Sequence, residues 1–591
     1  MTPSIEEAGE AGGGPFWRRP WSPLLGVVLV ALAVRALYLP ELLHAFPYFA
    51  APDPGNDAYD YQKWAEAIAA GDWLSRFLGP FYLAPLYPYL LGLLLAVTGA
   101  PPVLAGLTLN ALAGACNAAL AARIARRCFG VSAAWIAGLL AGLNGSQIAA
   151  EGMLLNDPLL APLLLAGVWR VLALGDRLAR GESVSWRSAL GLGMLLALPT
   201  LGRASNLLPA VGLGLWFAAV SWRRWEKRGL PLILAAALGG ALILSLPVAR
   251  NGALYGAWVL TTNGPLAFYV GNEPAAFGIN KPHHDFAQLQ ARVTQRAQWW
   301  DELAAAHQRH PGRWGDVLWR KTQLFFNAWD IPDNYDYHFL RRHLTALRWL
   351  TVDPWILLCL GFTGAALTWR RWRALLPLHL FAGLFALSII AVTVSGRYRL
   401  PFHDWLAILA GGGATTLWRL SPPNRWRGFA GAAVLAVGLA LLFTPRYPQL
   451  CLENRCTQEL AGFPLRSMEY QIHGVALMNR GRFAEAEGLF REAVGLFPGD
   501  AQVHERLAHL LLQQGRHAEA EAAAAAGLRG AGPSVHLWEL RLRALIPLGR
   551  FEEIDPVLNQ LLHHDPDHPF GRQLRDLLRQ EPARGDPAGR L

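Results

Sequence analysis

Charged side chains are scarce in this sequence. Only 16% of its 591 residues are Asp, Glu, Lys or Arg, whereas soluble domains carry about 25%. A single hydrophobic core stops growing near about 250–300 residues, so a soluble chain of this length would need several charged surfaces. With 53% hydrophobic residues, this scarcity excludes a water-soluble enzyme and a disordered chain, and it indicates a membrane protein.

Cysteine is scarce as well, and the five cysteines form no CxxC pair. This excludes a disulfide scaffold and a zinc ribbon. Cys116, Cys128 and Cys359 fall in or beside apolar runs, where a thiol acts as a small apolar filler. Cys451 and Cys456 lie just past the last apolar run, and they can pair if their compartment is oxidising and the chain turns between them.

The apolar residues fall into runs typical of membrane spans. The first run, 23–39, follows Arg18 and Arg19, as in a retained signal anchor whose N-terminus faces inside. Residues 1–20 are therefore predicted to be cytoplasmic and disordered. The later runs lie at 83–99, 103–122, 131–150, 153–175, 188–201, 204–220, 230–248, 354–369, 374–394, 401–419 and 428–444.

The basic residues lie mainly in the short connections between these runs. A net charge of +10 would suggest nucleic-acid binding in a soluble chain, but positive-inside topology explains it here, so no nucleic-acid partner is predicted. The long segments 41–82 and 249–353 must then face outside. Parity leaves the run 83–99, with Pro85 and Pro88, as a re-entrant or interfacial helix. About eleven crossings remain, and they place the C-terminal region outside.

A 34-residue period begins after the last apolar run. Gly481, Gly515 and Gly549 are evenly spaced turn glycines, and each is followed by Arg. The surrounding small and aromatic positions keep the same register through three units. The segment 468–578 therefore resembles the tetratricopeptide repeat, a helix–turn–helix unit that stacks into an α-solenoid.

These patterns together predict an all-α protein. Its larger part, 21–445, is a polytopic transmembrane helical bundle, and its C-terminal part is the α-solenoid of tetratricopeptide type. A linker is predicted at 446–467 and a disordered tail at 579–591.

The first outer loop contains a cluster of acidic residues. The sequence from Asp57 to Ala70 predicts a helix that Asn56 or Asp57 caps. A helix N-terminus stabilises a carboxylate, so Asp57 can accept a proton from a hydroxyl nucleophile or hold a cation. Asp60 lies one helical turn further on and can supply a second carboxylate. The alternative is that Asp57 only caps the helix.

Two more acids lie in the membrane part of the chain. Glu151 is placed at the outer end of its span, and Asp157 deeper in the membrane, next to the helix-breaking Pro158. An acid inside a membrane costs at least about 2.5 kcal/mol and is therefore a functional candidate. The alternative is a hydrogen-bonded structural pair.

Four arginines lie at the predicted outer ends of separate spans: Arg203, Arg250, Arg397 and Arg399. Such a cluster opposes the positive-inside bias, and the planar fork of arginine matches phosphate oxygens. The alternative is that each side chain reaches toward lipid headgroups. The simplest joint use of the acids and arginines is a lipid phosphate held by arginines while a carboxylate activates an acceptor hydroxyl.

The order of these motifs resembles the membrane glycosyltransferases of the GT-C superfamily, in the branch of the protein mannosyltransferases and aminoarabinose transferases. The likeness covers about residues 20–420. The matching motifs are Asp57-Ala58-Tyr59-Asp60-Tyr61, Gly71-Asp72-Trp73, Ala84-Pro85-Leu86-Tyr87-Pro88, Asn156-Asp157-Pro158, Thr200 with Arg203, Arg250-Asn251, Gly271-Asn272 and Arg397-Tyr398-Arg399-Leu400-Pro401.

The resemblance implies a role for each group of residues. Asp57 would be the catalytic base or a cation ligand, with Asp157 and Asp60 in support, and the four arginines would bind the donor phosphate. Tyr61, Glu151 and Asn272 would contact the sugar or the acceptor. Many relatives have an Asp-Glu pair where this chain has Asp57-Ala58, so a divalent metal remains an open cofactor, and Asp57 would be its ligand.

The predicted function is transfer of a hexosyl or pentosyl group from a polyprenyl-phosphate donor to a glycan, lipid or protein acceptor, without a nucleotide cofactor. The resemblance places this activity at a bacterial-type inner membrane, with the repeats on the periplasmic side binding a protein partner. One alternative is a polymerase or ligase of lipid-linked glycans, which would not require the Asp57 helix. Another is a membrane-tethered scaffold that only presents the repeats, which would need no buried acid such as Asp157. The outer segment 327–339, rich in aromatic and acidic residues, either stacks sugars or lies at the membrane interface.

Overall fold

A computed structural model describes residues 19, 21–52, 54, 56–276, 278–279, 286–293, 298–443, 451–452, 455–456 and 467–580. The chain divides into two compact units. The membrane unit comprises Met1–Leu42 and Pro52–Pro464, and the repeat unit comprises Leu43–Ala51 and Leu465–Leu591. The predictions for 1–20, 446–467 and 579–591 lie almost entirely outside the described residues.

The membrane unit is built from helices, as predicted. Its first ten are α1 (Ser22–Ala45), α2 (Asp57–Ala69), α3 (Leu86–Thr98), α4 (Pro102–Phe129), α5 (Val131–Gly142), α6 (Gly145–Glu151), α7 (Asp157–Ala179), α8 (Trp186–Ala197), α9 (Leu207–Trp225) and α10 (Leu230–Tyr255). They are followed by α11 (Gly264–Asn272), α12 (Phe286–Arg292), α13 (Gln298–Arg309), α14 (Arg313–Phe325), α15 (Tyr337–His343), α16 (Thr345–Trp349), α17 (Pro354–Thr368), α18 (Leu376–Val392), α19 (Leu400–Trp418) and α20 (Pro422–Phe443).

Within the described residues, five helical stretches are long and apolar enough to cross a membrane: Ser22–Ala45, Pro102–Phe129, Asp157–Ala179, Ala204–Tyr255 and Pro422–Phe443. The 52-residue stretch contains both α9 and α10, joined by a basic turn. Shorter apolar helices lie at Leu86–Thr98, Val131–Gly142 and Leu376–Val392. These lengths fit a polytopic bundle, while the number of crossings stays a prediction.

Small residues let several of these helices pack closely. A β-carbon at Gly364 of α17 would collide with the backbone of Leu409 in α19, and one at Gly193 of α8 would collide with the backbone of Ala236 in α10. Close backbone approach at glycine is typical of helices that associate in lipid. The core of the unit lies along α4, α5, α7, α18 and α19.

The predicted helix at Asp57 is present as α2. Asn56 is its N-cap, and the side-chain oxygen of Asn56 accepts a hydrogen bond from the Ala58 N–H at 2.9 Å. The apolar positions of the sequence stripe are buried on one face: Ala58, Tyr61, Ala65 and Ile68. Burial of this face fixes the N-terminus of α2, and therefore the position of Asp57, against the bundle.

Two helix boundaries differ from the sequence expectations. Asp157 is the first residue of α7 after the non-helical segment 152–156, whereas the apolar run that contains it begins at residue 153. The depth of Asp157 in the membrane stays a prediction. Pro158 starts the helix there, because the first turn needs no donor from its nitrogen. Arg250 does not end its span either: α10 continues to Tyr255. Hydropathy alone ended that run too early, since the last turns of α10 are polar.

The repeat unit consists of antiparallel helices separated by short turns. They are α21 (Ser467–Met478), α22 (Phe483–Leu496), α23 (Ala501–Gln513), α24 (His517–Ala531), α25 (Val535–Leu545), α26 (Ile554–His564) and α27 (Pro569–Gln580). Gly481, Gly515 and Gly549 adopt φ values of 73°, 71° and 67°. This left-handed backbone favours glycine, which explains why glycine recurs at the same place in each unit.

The repeat unit also includes nine residues from the end of α1 and the segment after it. In Leu43–Ala51, a 3₁₀ turn at Pro47–Ala50 packs on α21. The rings of Phe46 and Phe49 lie 4.7 and 5.3 Å from the His473 ring, centroid to centroid. The sequence did not predict this, because the loop and α21 are far apart in the chain.

The linker contains the only strands among the described residues, β1 (Cys451–Leu452) and β2 (Arg455–Cys456). They pair antiparallel, with the Cα of Cys451 opposite that of Cys456. The chain therefore turns between the two cysteines, as pairing would require. The side chains of these four residues lie outside the described part of the structure.

Candidate active site

Arg397 is the centre of a cluster of buried charges. Its Nε donates to Asp333 Oδ2 at 2.9 Å, its Nη1 to Asp157 Oδ2 at 3.1 Å, and its Nη2 to Asp57 Oδ2 at 3.0 Å. Its side chain is only 5% exposed. Burial acts to lower the pKa of Arg397, but Asp333, Tyr398, Asp157 and Asp57 raise it well above its ordinary value. The arginine therefore stays charged and holds the three carboxylates together.

Asp57 is the exposed carboxylate of this cluster. Its side chain is 32% exposed, compared with 3% for Asp157. Asp57 Oδ2 accepts from both Arg397 and the side-chain amide of Asn334, at 3.0 and 2.8 Å. Among the described residues, no hydrogen bond to Asp57 Oδ1 is present. One oxygen is thus held in place while the other remains open.

Arg203 forms the second cationic position. Its Nη2 donates to Asp157 Oδ1, and its guanidinium lies over the Tyr398 ring at 3.5 Å from the centroid. Asn156 donates to the Gly202 carbonyl, which brings the start of α7 next to Arg203. The side chain is 18% exposed. Within the described residues its Nε and Nη1 make no hydrogen bond, so these donors remain available to an anion.

The outer segment 327–339 supplies two residues that the sequence did not single out, Asp333 and Asn334. The acidic and aromatic composition of this segment was noticed, but it indicated sugar stacking or a membrane interface rather than contact with Asp57. Asn334 and Asp57 are 277 positions apart in the chain, and no spacing pattern signals such a contact.

The cluster carries an excess of negative charge. Three carboxylates, Asp57, Asp157 and Asp333, face two guanidinium groups, so one negative charge is left over. Asp60 lies one turn after Asp57 on the exposed side of α2. Burial and the Asp57 charge raise the pKa of Asp60. The structure does not bring Asp60 into contact with Arg397.

Two of the four predicted phosphate-binding arginines lie elsewhere. Arg250 donates to the carbonyls of Leu74, Ser75 and Gly79, and its guanidinium covers the Phe81 ring. These contacts fix the loop before α3. Arg399 is 1% exposed and donates to the carbonyls of Phe325, Asn327 and Trp329. Its contacts fix the start of the segment 327–339. Both arginines are engaged by backbone oxygens.

The three residues predicted to contact the sugar or the acceptor, Tyr61, Glu151 and Asn272, are buried and have partners other than the Arg397 cluster. Glu151 pairs with the buried Arg35 of α1 at 2.6 Å. The Asn272 side chain accepts from Lys321 Nζ at 2.6 Å and donates to backbone carbonyls, including that of Phe268 at 2.9 Å. Tyr61 is buried, with its ring 5.5 Å from the Tyr87 ring. The sequence contained one indication of this pair, since Arg35 is a charged residue inside the first apolar run.

The residues at Asp57 do not assemble a metal site. In the described part of the chain, no group of three or more His, Cys, Asp or Glu side chains is arranged to hold a metal ion. Asp57 Oδ2 already accepts hydrogen bonds from two donors. The described residues at Asp57 therefore offer no ready set of metal ligands.

A family model of the tetratricopeptide repeat matches residues 473–536. The predicted repeats are therefore confirmed for that part of the chain. No curated protein matches the sequence.

The solved structures that resemble most of the chain are distant from it in sequence. An oligosaccharyltransferase of Archaeoglobus fulgidus, tethered with an acceptor peptide, is 14% identical with a TM-score of 0.42, over 73% of this chain and 56% of that protein. ArnT from Cupriavidus metallidurans, bound to undecaprenyl phosphate, is 17% identical with a TM-score of 0.41, over 92% and 81% of the two chains. Both are glycosyltransferases of the GT-C type.

This chain thus spans little more than half the length of the oligosaccharyltransferase. At TM-scores this low, the likeness supports no residue role. The roles given below rest on the contacts within this chain.

Proposed function

We propose that the chain is an integral-membrane glycosyltransferase. It would transfer a hexosyl or pentosyl group from a polyprenyl-phosphate donor to an acceptor hydroxyl on the outer, periplasmic side. The proposal rests on two observations in the same cluster. Asp57 Oδ1 accepts no hydrogen bond among the described residues, and Arg203 has two nitrogens, Nε and Nη1, that donate none. A base and an anion site close together are what transfer from a phosphate leaving group requires.

The chemistry follows from this geometry. Asp57 Oδ1 accepts the proton of the acceptor hydroxyl as its oxygen attacks the anomeric carbon of the donor sugar. The bond from that carbon to the phosphate oxygen breaks, and the polyprenyl phosphate leaves with the bonding electrons. Arg203 meets the negative charge that develops on the leaving phosphate. A single displacement of this kind inverts the anomeric configuration.

Arg397 and Asp157 act on the two reacting groups indirectly. Arg397 fixes Asp57 Oδ2, and it shares Asp157 with Arg203. Asp157 thus aligns the guanidinium that meets the phosphate. A buried ion pair often adds little to stability. We therefore attribute these buried charges to the alignment of Asp57 and Arg203.

The repeat unit has a groove of about 670 Å³ between side chains of α23 and α25. Both acidic and basic side chains line it, among them Glu505, Arg506, Glu539 and Arg543. We propose that this groove recruits the acceptor or a protein that delivers it.

The substitution Asp57→Asn tests the proposed function. In cells that lack the native gene, the wild-type chain restores an envelope glycan or glycolipid that mass spectrometry detects, and the Asp57→Asn chain does not. The matched control is Asp301→Asn, an exposed acid of the same outer face. Full restoration by correctly inserted Asp57→Asn would refute the catalytic role of Asp57 and would favour a polymerase, a ligase or a scaffold.

A further inference from the structure

The active-site carboxylate is held by a residue of a remote outer segment. Asn334 Nδ2 donates to Asp57 Oδ2 at 2.8 Å, the same oxygen that accepts from Arg397 at 3.0 Å. The neighbouring Asp333 accepts from Arg397 Nε at 2.9 Å. The two consecutive residues therefore contact both members of the Asp57–Arg397 pair.

The segment that carries them is itself anchored before the contact. The Ile331 carbonyl accepts from the Gly396 N–H at 2.9 Å, and the carbonyls of Asn327 and Trp329 accept from Arg399. Asp330 accepts from the Ser146 hydroxyl of α6. These contacts hold residues 327–331 against α6 and the turn before α19. The backbone that leads to Asp333 and Asn334 is therefore fixed.

The segment is anchored after the contact as well. His338 Nε2 accepts from the Asp330 N–H at 3.1 Å, and the His338 ring stacks on Trp329. Burial, together with Arg341 and Arg399, lowers the pKa of His338 to about 3, so the ring stays a neutral acceptor. Contacts between His338 and residues 329–330 therefore join the two sides of the segment, with Asp333 and Asn334 between them.

We propose that Asn334 is a positioning residue for the transfer reaction and that it acts by orienting Asp57. This inference rests on the proposed function. A carboxylate with donors on one oxygen cannot exchange its two oxygens by rotation without losing both hydrogen bonds. Asn334 therefore keeps Asp57 Oδ1 directed to the acceptor. Asp333 holds the Arg397 guanidinium in the orientation in which it donates to Asp57 Oδ2.

An isosteric substitution separates positioning from simple tethering. Asn334→Asp keeps the shape of the side chain but replaces the donor by a charge that repels Asp57. We expect turnover of an undecaprenyl-phosphate-linked sugar to fall at least about tenfold, since a hydrogen bond to a charged group is lost. The Kd for undecaprenyl phosphate changes less than about threefold, because Arg203 is untouched. Asn334→Gln, which keeps an amide donor, recovers part of the turnover.

The control is Asn479→Asp, the same chemical change at an exposed position of the repeat unit, and it leaves turnover unchanged. If Asn334→Asp folds and turns over at the wild-type rate while Asp57→Asn is inactive, the positioning role is refuted and the proposed function stands. If Asp57→Asn is also active, the proposed function fails with it. If Asn334→Asp and Asn334→Gln lost turnover to the same extent, and both also lost affinity for undecaprenyl phosphate, Asn334 would only hold the segment 327–339 in place. That result would refute the positioning role.

Discussion

Arg203 and Arg397 have different roles at the residue scale, although both bind Asp157. Arg397 is saturated by three carboxylates, whereas Arg203 keeps two nitrogens without a partner among the described residues. An anion that enters the site therefore finds its donors on Arg203. Arg397 is the residue that holds the three acids in place.

This difference predicts separate effects of two substitutions. Arg203→Ala should raise the Kd for undecaprenyl phosphate at least about tenfold, because a charge-assisted hydrogen bond contributes about 1.5–3 kcal/mol, with little effect on thermal stability. Arg397→Ala should lower the free energy of unfolding by about 3–5 kcal/mol, because it leaves buried carboxylates unpaired. Ligand titration and thermal denaturation measure the two effects. Arg309→Ala, on exposed α13, is the control, and an unchanged Kd for Arg203→Ala would contradict the phosphate role.

Glu151 is predicted to act through stability rather than through the acceptor. Glu151→Gln leaves the Arg35 charge unpaired inside the bundle, so we expect a loss of about 3–5 kcal/mol. The double substitution Arg35→Met with Glu151→Leu should recover most of that loss. Thermal denaturation in detergent measures both. A stable Glu151→Gln variant with impaired transfer would instead support the acceptor contact suggested by the sequence.

The site could be predicted from the sequence only in part. Asp157, Arg203 and Arg397 were identified because a charge in an apolar context is conspicuous, and Asp57 because it stands at the start of a predicted helix. Arg250 and Arg399 gave the same signal, but their donors go to backbone carbonyls, which leave no trace in a sequence. Asn334 was missed because a polar residue in a polar loop is unremarkable until the fold places it against Asp57.

At the scale of elements, the helices were predicted better than their ends. The stripe of Ala58, Tyr61, Ala65 and Ile68 predicted α2, because amphipathic periodicity depends only on local sequence. The start of α7 at Asp157 was misplaced because the hydropathy of 153–156 continues that of the helix. The preceding helix ends at Glu151, and Pro158 lies in the first turn of α7.

The packing of Leu43–Ala51 on α21 predicts a stability effect in the repeat unit. Phe49→Ala removes a ring that is 4% exposed and stacks on His473, and such truncations cost about 3 kcal/mol or more. Amide hydrogen exchange in α21 should accelerate accordingly. Phe483→Ala, at a ring that is 40% exposed, should change exchange little. Equal exchange in the two variants would show that the outer-loop segment does not support the first repeat.

At the scale of the whole molecule, charge composition and period together predicted the all-helical architecture and the repeats. The sequence could not predict that Leu43–Ala51, the end of α1 and the residues after it, belong to the repeat unit, since that depends on contacts between distant parts of the chain. The outer location of the repeat unit stays a prediction from the basic residues that lie between the apolar runs.

Thiol labelling tests this sidedness. In a chain with Cys451 and Cys456 replaced by Ser, we expect Glu552→Cys, exposed in the repeat unit, to react with a membrane-impermeant maleimide in intact spheroplasts. Lys227→Cys, in the basic turn between α9 and α10, should react only after the membrane is permeabilised. The reverse pattern would overturn the predicted topology.

The central claim is that Asp57 activates an acceptor for transfer from a polyprenyl-phosphate sugar. The most direct test combines purified protein in nanodiscs with undecaprenyl-phosphate-linked hexoses and pentoses and an extract of envelope acceptors, and measures released undecaprenyl phosphate together with the anomeric configuration of the product. We predict that wild-type protein releases one undecaprenyl phosphate per sugar transferred, with inversion, and that Asp57→Asn releases almost none. Release at equal rates by the two proteins, or retention of configuration, would contradict the account.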